Sequence, residues 1–275
     1  MAHSKNKILL LVEGYRTEPN IMKAYAKRLE EEFELNVVSF DTNIYVLYQN
    51  IKSLNEEMGL ESTSTLDMLK SILRERERKF ADNNNTDELI KIKNDLEILD
   101  QKYPYVYLLF DLEIQDNHYN NSDKKSILKE MLEYFNDETD NGLLLINYPM
   151  IESFRDYDLP ILNDEYYERF ISKAEVQNYK KIVGIRGNNF NLSKYSLDDF
   201  ENITLQNVLK ANYIVNNLKC IPTYEDFMLL LQSNSILDKQ FVFIEIQNKI
   251  YILCCALFVY ISFFGKKYYS KITSK

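Results

Sequence analysis

The chain has 275 residues, of which 45% are hydrophobic and 27% charged, a composition typical of a globular protein with a substantial core. Its formal net charge of −9 argues against a protein that grips nucleic acid through a broad basic surface. The charge does not exclude an enzyme that works at one metal-filled cleft, because carboxylates that hold metals are themselves negative. Cys220, Cys254 and Cys255 show no metal-ligand spacing and indicate a reducing cytoplasm.

The first predicted strand ends abruptly in a carboxylate. Residues 8–12 form a continuous aliphatic run, which predicts a buried parallel strand, and Glu13 and Gly14 follow it directly. Thr17 is expected to cap a helix, and 35–40 reads as a second strand. The apolar face of that helix consists of Ile21, Met22, Tyr25, Leu29 and Phe33. This strand–helix–strand order predicts an α/β domain with a mostly parallel, Rossmann-like sheet flanked by helices.

A helical insertion is predicted from about residue 50 to 102. Two apolar stripes at helical spacing, separated by the polar stretch 81–87, indicate a helical hairpin. The stripes are Leu66, Leu69, Leu73 and Phe80 in the first helix and Leu89, Ile92, Leu96 and Leu99 in the second. The charged run RERERK at 74–79 is read first as a solvated face with internal ion pairs, and second as a phosphate-binding arm.

Two further buried strands follow, and both lead into acidic residues. Residues 105–110 run into Asp111 and Glu113, and residues 142–146 run into the stretch that contains Glu152. Beyond 156 the patterns are mainly helical. The sequence therefore predicts a catalytic domain over 1–155 and a mainly helical domain over 156–275.

The segment 250–264 carries no charge over 15 residues. A membrane-spanning helix needs about 20 apolar residues, so the segment is too short to span a bilayer. It is predicted to be a buried core helix, with a tail anchor or a partner-binding helix as alternatives. Association with a membrane is therefore not expected.

The acids at the strand ends point to a metal site. In an open parallel sheet the carboxyl ends of the strands lie along one edge, so Glu13, Asp111, Glu113 and Glu152 can converge. Uncompensated carboxylates repel one another, and their burial costs free energy. A divalent cation that prefers oxygen ligands, such as Mg²⁺, removes that cost. Each acid also has an ordinary explanation as a helix cap or a loop residue.

These motifs resemble those of Toprim-domain nucleases, in particular the RloB-like, OLD-like and AriB-like groups. The stretch VEGYRTEPN at 12–20 is similar to the RloB-like pattern of Glu-Gly followed by Thr-Glu-Pro. The later element NYPMIESF at 147–154 is similar to an Asn-Pro-x-x-Glu motif, with Tyr148 as an extra residue. The usual Asp-x-Asp is replaced by Asp111-Leu112-Glu113. The resemblance covers roughly residues 5–155 without the helical insertion and implies a Toprim-like fold.

The resemblance also implies roles for these acids. Glu13, Asp111 and Glu113 would be catalytic and would bind Mg²⁺ or Mn²⁺. Glu18 or Glu152 would help at a second ion.

Three nearby residues have roles that the sequence leaves open. Arg16 is a candidate phosphate contact or a solvated loop arginine. Gly14 would permit a sharp turn beside the phosphate. Asp116 is an alternative ligand to Glu113, because the change from Asp to Glu puts the role of Glu113 in question.

The implied function is that of a metal-dependent nuclease that cuts DNA or RNA, tRNA included. By the same resemblance it would act as the effector of an anti-phage defence system, controlled by an ATPase partner of ABC or AAA type, with a homodimer left open. The main alternative is a catalytically silent Toprim-like scaffold that binds a partner protein. A nucleotide-handling α/β protein with Asp111 as nucleophile or phospho-acceptor ranks last.

Overall fold

The computed structural model describes residues 6–29, 33–58, 64–82, 86–157, 164–186 and 191–274. The strands are β1 (Asn6–Val12), β2 (Phe33–Ser39), β3 (Tyr105–Asp111), β4 (Asn136–Asp137), β5 (Gly142–Asn147), β6 (Phe170–Ser172) and β7 (Lys249–Tyr251). The helices are α1 (Thr17–Ala26), α2 (Ile44–Met58), α3 (Thr65–Asp82), α4 (Thr86–Leu99), α5 (Asn121–Tyr134), α6 (Asp164–Tyr167), α7 (Tyr179–Arg186), α8 (Leu197–Asn216), α9 (Tyr224–Leu231), α10 (Ser235–Gln247) and α11 (Phe258–Thr273).

The central sheet has five strands in the order β2-β1-β3-β5-β4. The first four run parallel, and the two-residue β4 pairs antiparallel with β5 at the edge. Leucine, isoleucine and valine fill the inner strands on both faces, as expected for a sheet covered by helices on each side. The prediction of a mostly parallel, Rossmann-like α/β fold is confirmed.

Helix α1 begins one residue earlier than its predicted cap implied. Thr17 is its first helical residue, and Arg16 occupies the N-cap position without a side-chain capping hydrogen bond. The prediction that Thr17 caps the helix is therefore wrong. Glu18 in the first turn is buried, and a carboxylate there is stabilised by the positive end of the helix dipole.

The helical insertion is larger than predicted. Helix α2 already begins at Ile44, and α3 and α4 pack on each other, with α4 also packing against β2. The junctions at 59–63 and 83–85 lie outside the described residues. Within the run RERERK, Glu75 and Lys79 form an exposed ion pair at 2.7 Å, in keeping with a solvated face.

The C-terminal helices pack directly onto the sheet domain. The ring of Tyr25 in α1 stacks on Phe200 of α8 at 4.6 Å and meets Tyr260 of α11 edge-on at 4.7 Å. One continuous apolar core contains residues from β1 through α11. The division of the chain at 155/156 into two domains stays a prediction.

The apolar segment 250–264 is buried, but it is not a single helix. Its first residues belong to β7, the next run is extended, and helix α11 starts only at Phe258. The extended part pairs with the main chain of Tyr148, where Leu253 N–H donates at 2.8 Å and Leu253 C=O accepts at 2.9 Å. This pairing holds the run extended against the sheet. Among the described residues, no helix has the length and apolar character needed to cross a membrane.

Candidate metal centre

Three carboxylates meet at the carboxyl edge of the parallel sheet. Glu13 follows β1, Asp111 is the last residue of the neighbouring strand β3, and Glu113 lies in the loop after it. One carboxylate oxygen from each residue lies within 4.8 Å of the others. Acids almost 100 positions apart in the sequence thus form one cluster, which we call the acid cluster.

Main-chain contacts fix Glu13 in this position. Its N–H donates to Leu109 C=O at 3.3 Å, and its C=O accepts from the Ser39 hydroxyl at 3.4 Å. Its carboxylate Oε2 accepts from Asp111 N–H at 3.4 Å. Glu13 therefore continues the strand pairing for one residue while its side chain reaches the end of β3.

Asp111 is oriented by two donors. Its Oδ1 accepts from Ile151 N–H at 2.8 Å and from the side-chain amide of Asn147 at 3.3 Å. Asn147 is fully buried, and its own oxygen accepts from the N–H groups of Cys255 and Ala256, both at 3.1 Å. The main chain of Cys255 and Ala256, in the C-terminal apolar segment, therefore orients the Asn147 side chain, and Asn147 in turn orients Asp111.

Glu113 adopts a left-handed backbone conformation, with φ of 46°. Such a conformation is uncommon for residues other than glycine and often marks functional sites. The buried Leu112 anchors the turn, because its N–H donates to Asn147 C=O at 3.1 Å.

Asp116, the predicted alternative to Glu113, lies outside the acid cluster. Its carboxylate accepts from the ring and the N–H of His118 and from the amide of Asn43. Asp116 is therefore not one of the three clustered acids, and its role as an alternative ligand to Glu113 stays a prediction.

The electrostatics of the cluster favour protonation in the absence of a cation. Burial and the charge of Glu113 raise the pKa of Glu13 to about 8. Burial and the neighbouring acids, Glu13 foremost, hold the pKa of Asp111 well above its ordinary value. Burial also raises the pKa of Glu113, with Asp116 adding to the effect. Clustered carboxylates with raised pKa values in a cleft are typical of functional sites.

Glu18 packs against the glycine that follows Glu13. A Cβ atom at Gly14 would approach Glu18 Oε2 to 3.0 Å, a tight contact that the Glu18 side chain would have to relieve by a small shift. The backbone of Gly14 is not among those with positive φ. Burial raises the pKa of Glu18 as well.

Glu152 lies in a 3-10 helix over Ile151–Arg155 and is buried. It is not one of the three clustered acids, and its Oε1 forms an ion pair with Lys180 of α7 at 3.2 Å. Burial of Lys180 favours the neutral amine, but neighbouring carboxylates, Glu152 foremost, outweigh it and raise the pKa of Lys180. The role of Glu152 as a metal ligand stays a prediction.

A cavity of about 280 Å³ opens over the acid cluster. Arg16 and Lys180 line it, as do Glu18 and the exposed Tyr15. The Arg16 guanidinium lies 5.1 Å and the Lys91 ammonium of α4 lies 4.9 Å from the centroid of the Tyr15 ring. Two cations, Arg16 and Lys180, therefore line a cavity whose other charged residues are acidic.

Two residues of this region went unrecognised in the sequence. Asp41 stands two residues after the end of β2 and lines the cavity, so the rule that identified the other acids would have found it. Asn147 was named only as the first residue of the Asn-Pro-x-x-Glu motif, and its hydrogen bond to Asp111 was not predicted. Lys180 lies in the helical C-terminal part, and no local signal links it to the sheet edge.

No family model, curated protein or solved structure matches this chain.

Proposed function

We propose that this protein is a divalent-metal-dependent phosphodiesterase that cleaves DNA or RNA. The observation that carries the proposal is the convergence of Glu13, Asp111 and Glu113 within 4.8 Å of one another. Their oxygen donors are those that Mg²⁺ and Mn²⁺ prefer. Arg16 and Lys180, the two cations that line the cavity, suit a substrate that contains phosphate groups.

The residues of the chain divide the chemical work. A bound divalent cation would neutralise the acids and the phosphate and would activate water for an in-line displacement. Glu13 would bind the cation or accept a proton from the attacking water. Asp111 keeps one orientation through Ile151 and Asn147. Arg16 and Lys180 would contact the phosphate oxygens with charge-assisted hydrogen bonds.

The cellular setting rests on the resemblance to RloB-like, OLD-like and AriB-like nucleases. On that basis we expect an anti-phage effector with an ABC- or AAA-type ATPase partner. We also expect a cytoplasmic location, which the three free cysteines favour.

Thermal unfolding with Mg²⁺ or Mn²⁺ tests the metal centre. We expect stabilisation of the wild-type protein by about 3 kcal/mol at a metal concentration 100 times the Kd. Glu13→Gln should lose most of this gain. The exposed Glu245 provides a matched control, and Glu245→Gln should respond like wild type. Equal shifts in all three proteins would remove Glu13 from the metal site.

Cleavage assays then separate the enzyme from the silent scaffold. Supercoiled DNA and total tRNA are incubated with wild-type protein and Mg²⁺, with and without an ATPase partner. Cleavage that disappears in Glu13→Gln supports the enzyme. Metal binding without cleavage under any of these conditions would favour the scaffold.

A further inference from the structure

A second cavity, lined by Ile114 next to Glu113, is not explained by the metal centre. It measures about 840 Å³, within the range of small-molecule sites. We call it the amide cleft, because six of its lining residues carry side-chain amides: Gln115, Asn117, Asn120, Asn121, Gln177 and Asn248. Side-chain amides both donate and accept hydrogen bonds, as the edges of nucleobases do.

Two lysines give the amide cleft a positive end. Lys124 is almost completely buried and donates from Nζ to the carbonyls of Ile114, at 2.6 Å, and Asp116. Lys173 Nζ donates to Asn121 Oδ1 at 3.0 Å and retains capacity for further bonds. Among the described residues, no carboxylate lies within ion-pair distance of either lysine. Asp116 lines the cleft, but His118 and Asn43 engage its carboxylate.

The amide cleft and the cavity over the acid cluster are lined by residues of the same two segments. In the first segment, Glu113 lines the cavity over the acid cluster and the next residue, Ile114, lines the cleft. In the second segment, Lys173 and Gln177 line the cleft and Lys180 lines the cavity over the acid cluster. These three residues are spaced four and three positions apart across a 3-10 helix and the start of α7. The two cavities are therefore neighbours along both segments.

We propose that the amide cleft binds the nucleotide that flanks the scissile phosphodiester of a single-stranded substrate. Lys173 and the buried charge of Lys124 would hold a phosphate, while the amides contact the base and sugar. The chain has a net charge of −9, which suits a short strand held at two adjacent cavities better than a duplex held along a basic surface. This inference rests on the proposed function, because the scissile bond is placed at the acid cluster.

Binding of a labelled single-stranded tetranucleotide, measured by fluorescence anisotropy in EDTA so that no cleavage occurs, tests the proposal. Lys173→Gln should bind about tenfold more weakly, as expected for the loss of one charge-assisted contact. The slope of log K against log salt should decrease by about 0.7, the value for one phosphate contact on a single strand. Lys173→Arg, which keeps the charge, should retain most of the affinity.

Two further variants guard against a purely structural effect. The exposed Lys239 is a matched control on α10, and Lys239→Gln should leave affinity and salt slope unchanged. Gln177→Ala removes an exposed side chain and should weaken binding without lowering the melting temperature. Wild-type affinity and salt slope in Lys173→Gln, or no binding of the tetranucleotide by wild type, would overturn the proposal.

Mononucleotides test whether the amide cleft binds a nucleotide within a single strand or a free nucleotide. A nucleoside monophosphate should bind more weakly than the tetranucleotide and should compete with it. A monophosphate that binds as tightly as the tetranucleotide would assign the cleft to a free nucleotide and overturn the proposal. Failure of the proposed function is recognised separately, because Mg²⁺ would then stabilise Glu13→Gln as much as wild type while the effect of Lys173→Gln on binding persists.

Discussion

Two sets of buried carboxylates in this protein are treated in opposite ways. Asp156 has a fully buried side chain, and its two oxygens meet Arg169 at 2.9 Å and Arg186 at 3.1 Å, with the Tyr179 hydroxyl also at 3.1 Å. The acid cluster brings three carboxylates together, and Lys180, which lines the same cavity, is paired with Glu152.

The difference separates a structural carboxylate from a candidate site. The charge of Asp156 is compensated by the chain itself, which accounts for its burial without any ligand. The acid cluster has more negative charge than its surroundings compensate, so it favours either protons or an external cation. The property to test is therefore whether groups of the protein compensate the negative charge of a carboxylate, and not whether that carboxylate is buried.

The largest expected effect is on catalysis. Asp111→Asn removes a clustered carboxylate but keeps an acceptor for Ile151 N–H. We expect cleavage to decrease by about a thousandfold or more, since groups that stabilise charge in the transition state act on this scale. In EDTA the same variant should be at least as stable as wild type, because a buried, repelled charge has been removed. Single-turnover cleavage and chemical denaturation measure the two quantities, and a less stable variant in EDTA would contradict the comparison.

Asp156→Asn should lower the stability of the protein, in contrast to Asp111→Asn. The substitution leaves Arg169 and Arg186 without their common counter-ion, and breaking a buried ion pair from one side costs about 3–5 kcal/mol. Urea denaturation should show this loss in the free energy of unfolding both in EDTA and in Mg²⁺. The comparison fails if the Asp156 variant is as stable as wild type.

The pH dependence of stability should reveal the uncompensated acids. The pKa of Glu13 is raised from 4.5 to about 8 in the folded protein, so its contribution to stability is complete below pH 4.5 and is lost as the pH rises through 8. Metal-free protein should lose a few kcal/mol over this window. Glu13→Gln should flatten the profile, and saturating Mg²⁺ should do the same in wild type. A metal-free wild-type profile that is already flat would show that Glu13 ionises freely.

The smallest expected effect concerns the positioning of Asp111. Asn147→Ala removes the amide that donates to Asp111 and the oxygen that accepts from Cys255 N–H and Ala256 N–H, and it should weaken Mg²⁺ affinity about tenfold. The matched control is Asn207, which accepts from Cys254 N–H at 2.8 Å on the same segment but has no contact with Asp111. Both variants should lose about 1–3 kcal/mol of stability. Only Asn147→Ala should change metal affinity as measured by calorimetry.

Local patterns predicted the parts of the fold that depend on local periodicity. The four parallel strands and helices α3 and α4 appear where the apolar patterns place them. Short elements such as β4 and the pair β6–β7 were not predicted, because two or three residues carry no periodic signal. The segment 250–264 was misread because a fully buried strand and a buried helix are both continuously apolar. Its pairing with Tyr148, more than 100 residues away, decided the matter.

By itself, the sequence determined that acids stand at the carboxyl ends of parallel strands, since strand periodicity and the edge rule are local and general properties. Only the tertiary structure decided which acids meet. It selected Glu13, Asp111 and Glu113, excluded Asp116, and brought Asn147, Lys180 and the amide cleft to the same edge. These placements depend on contacts between distant segments, and the balance between a carboxylate and its neighbours exists only once those segments are packed together.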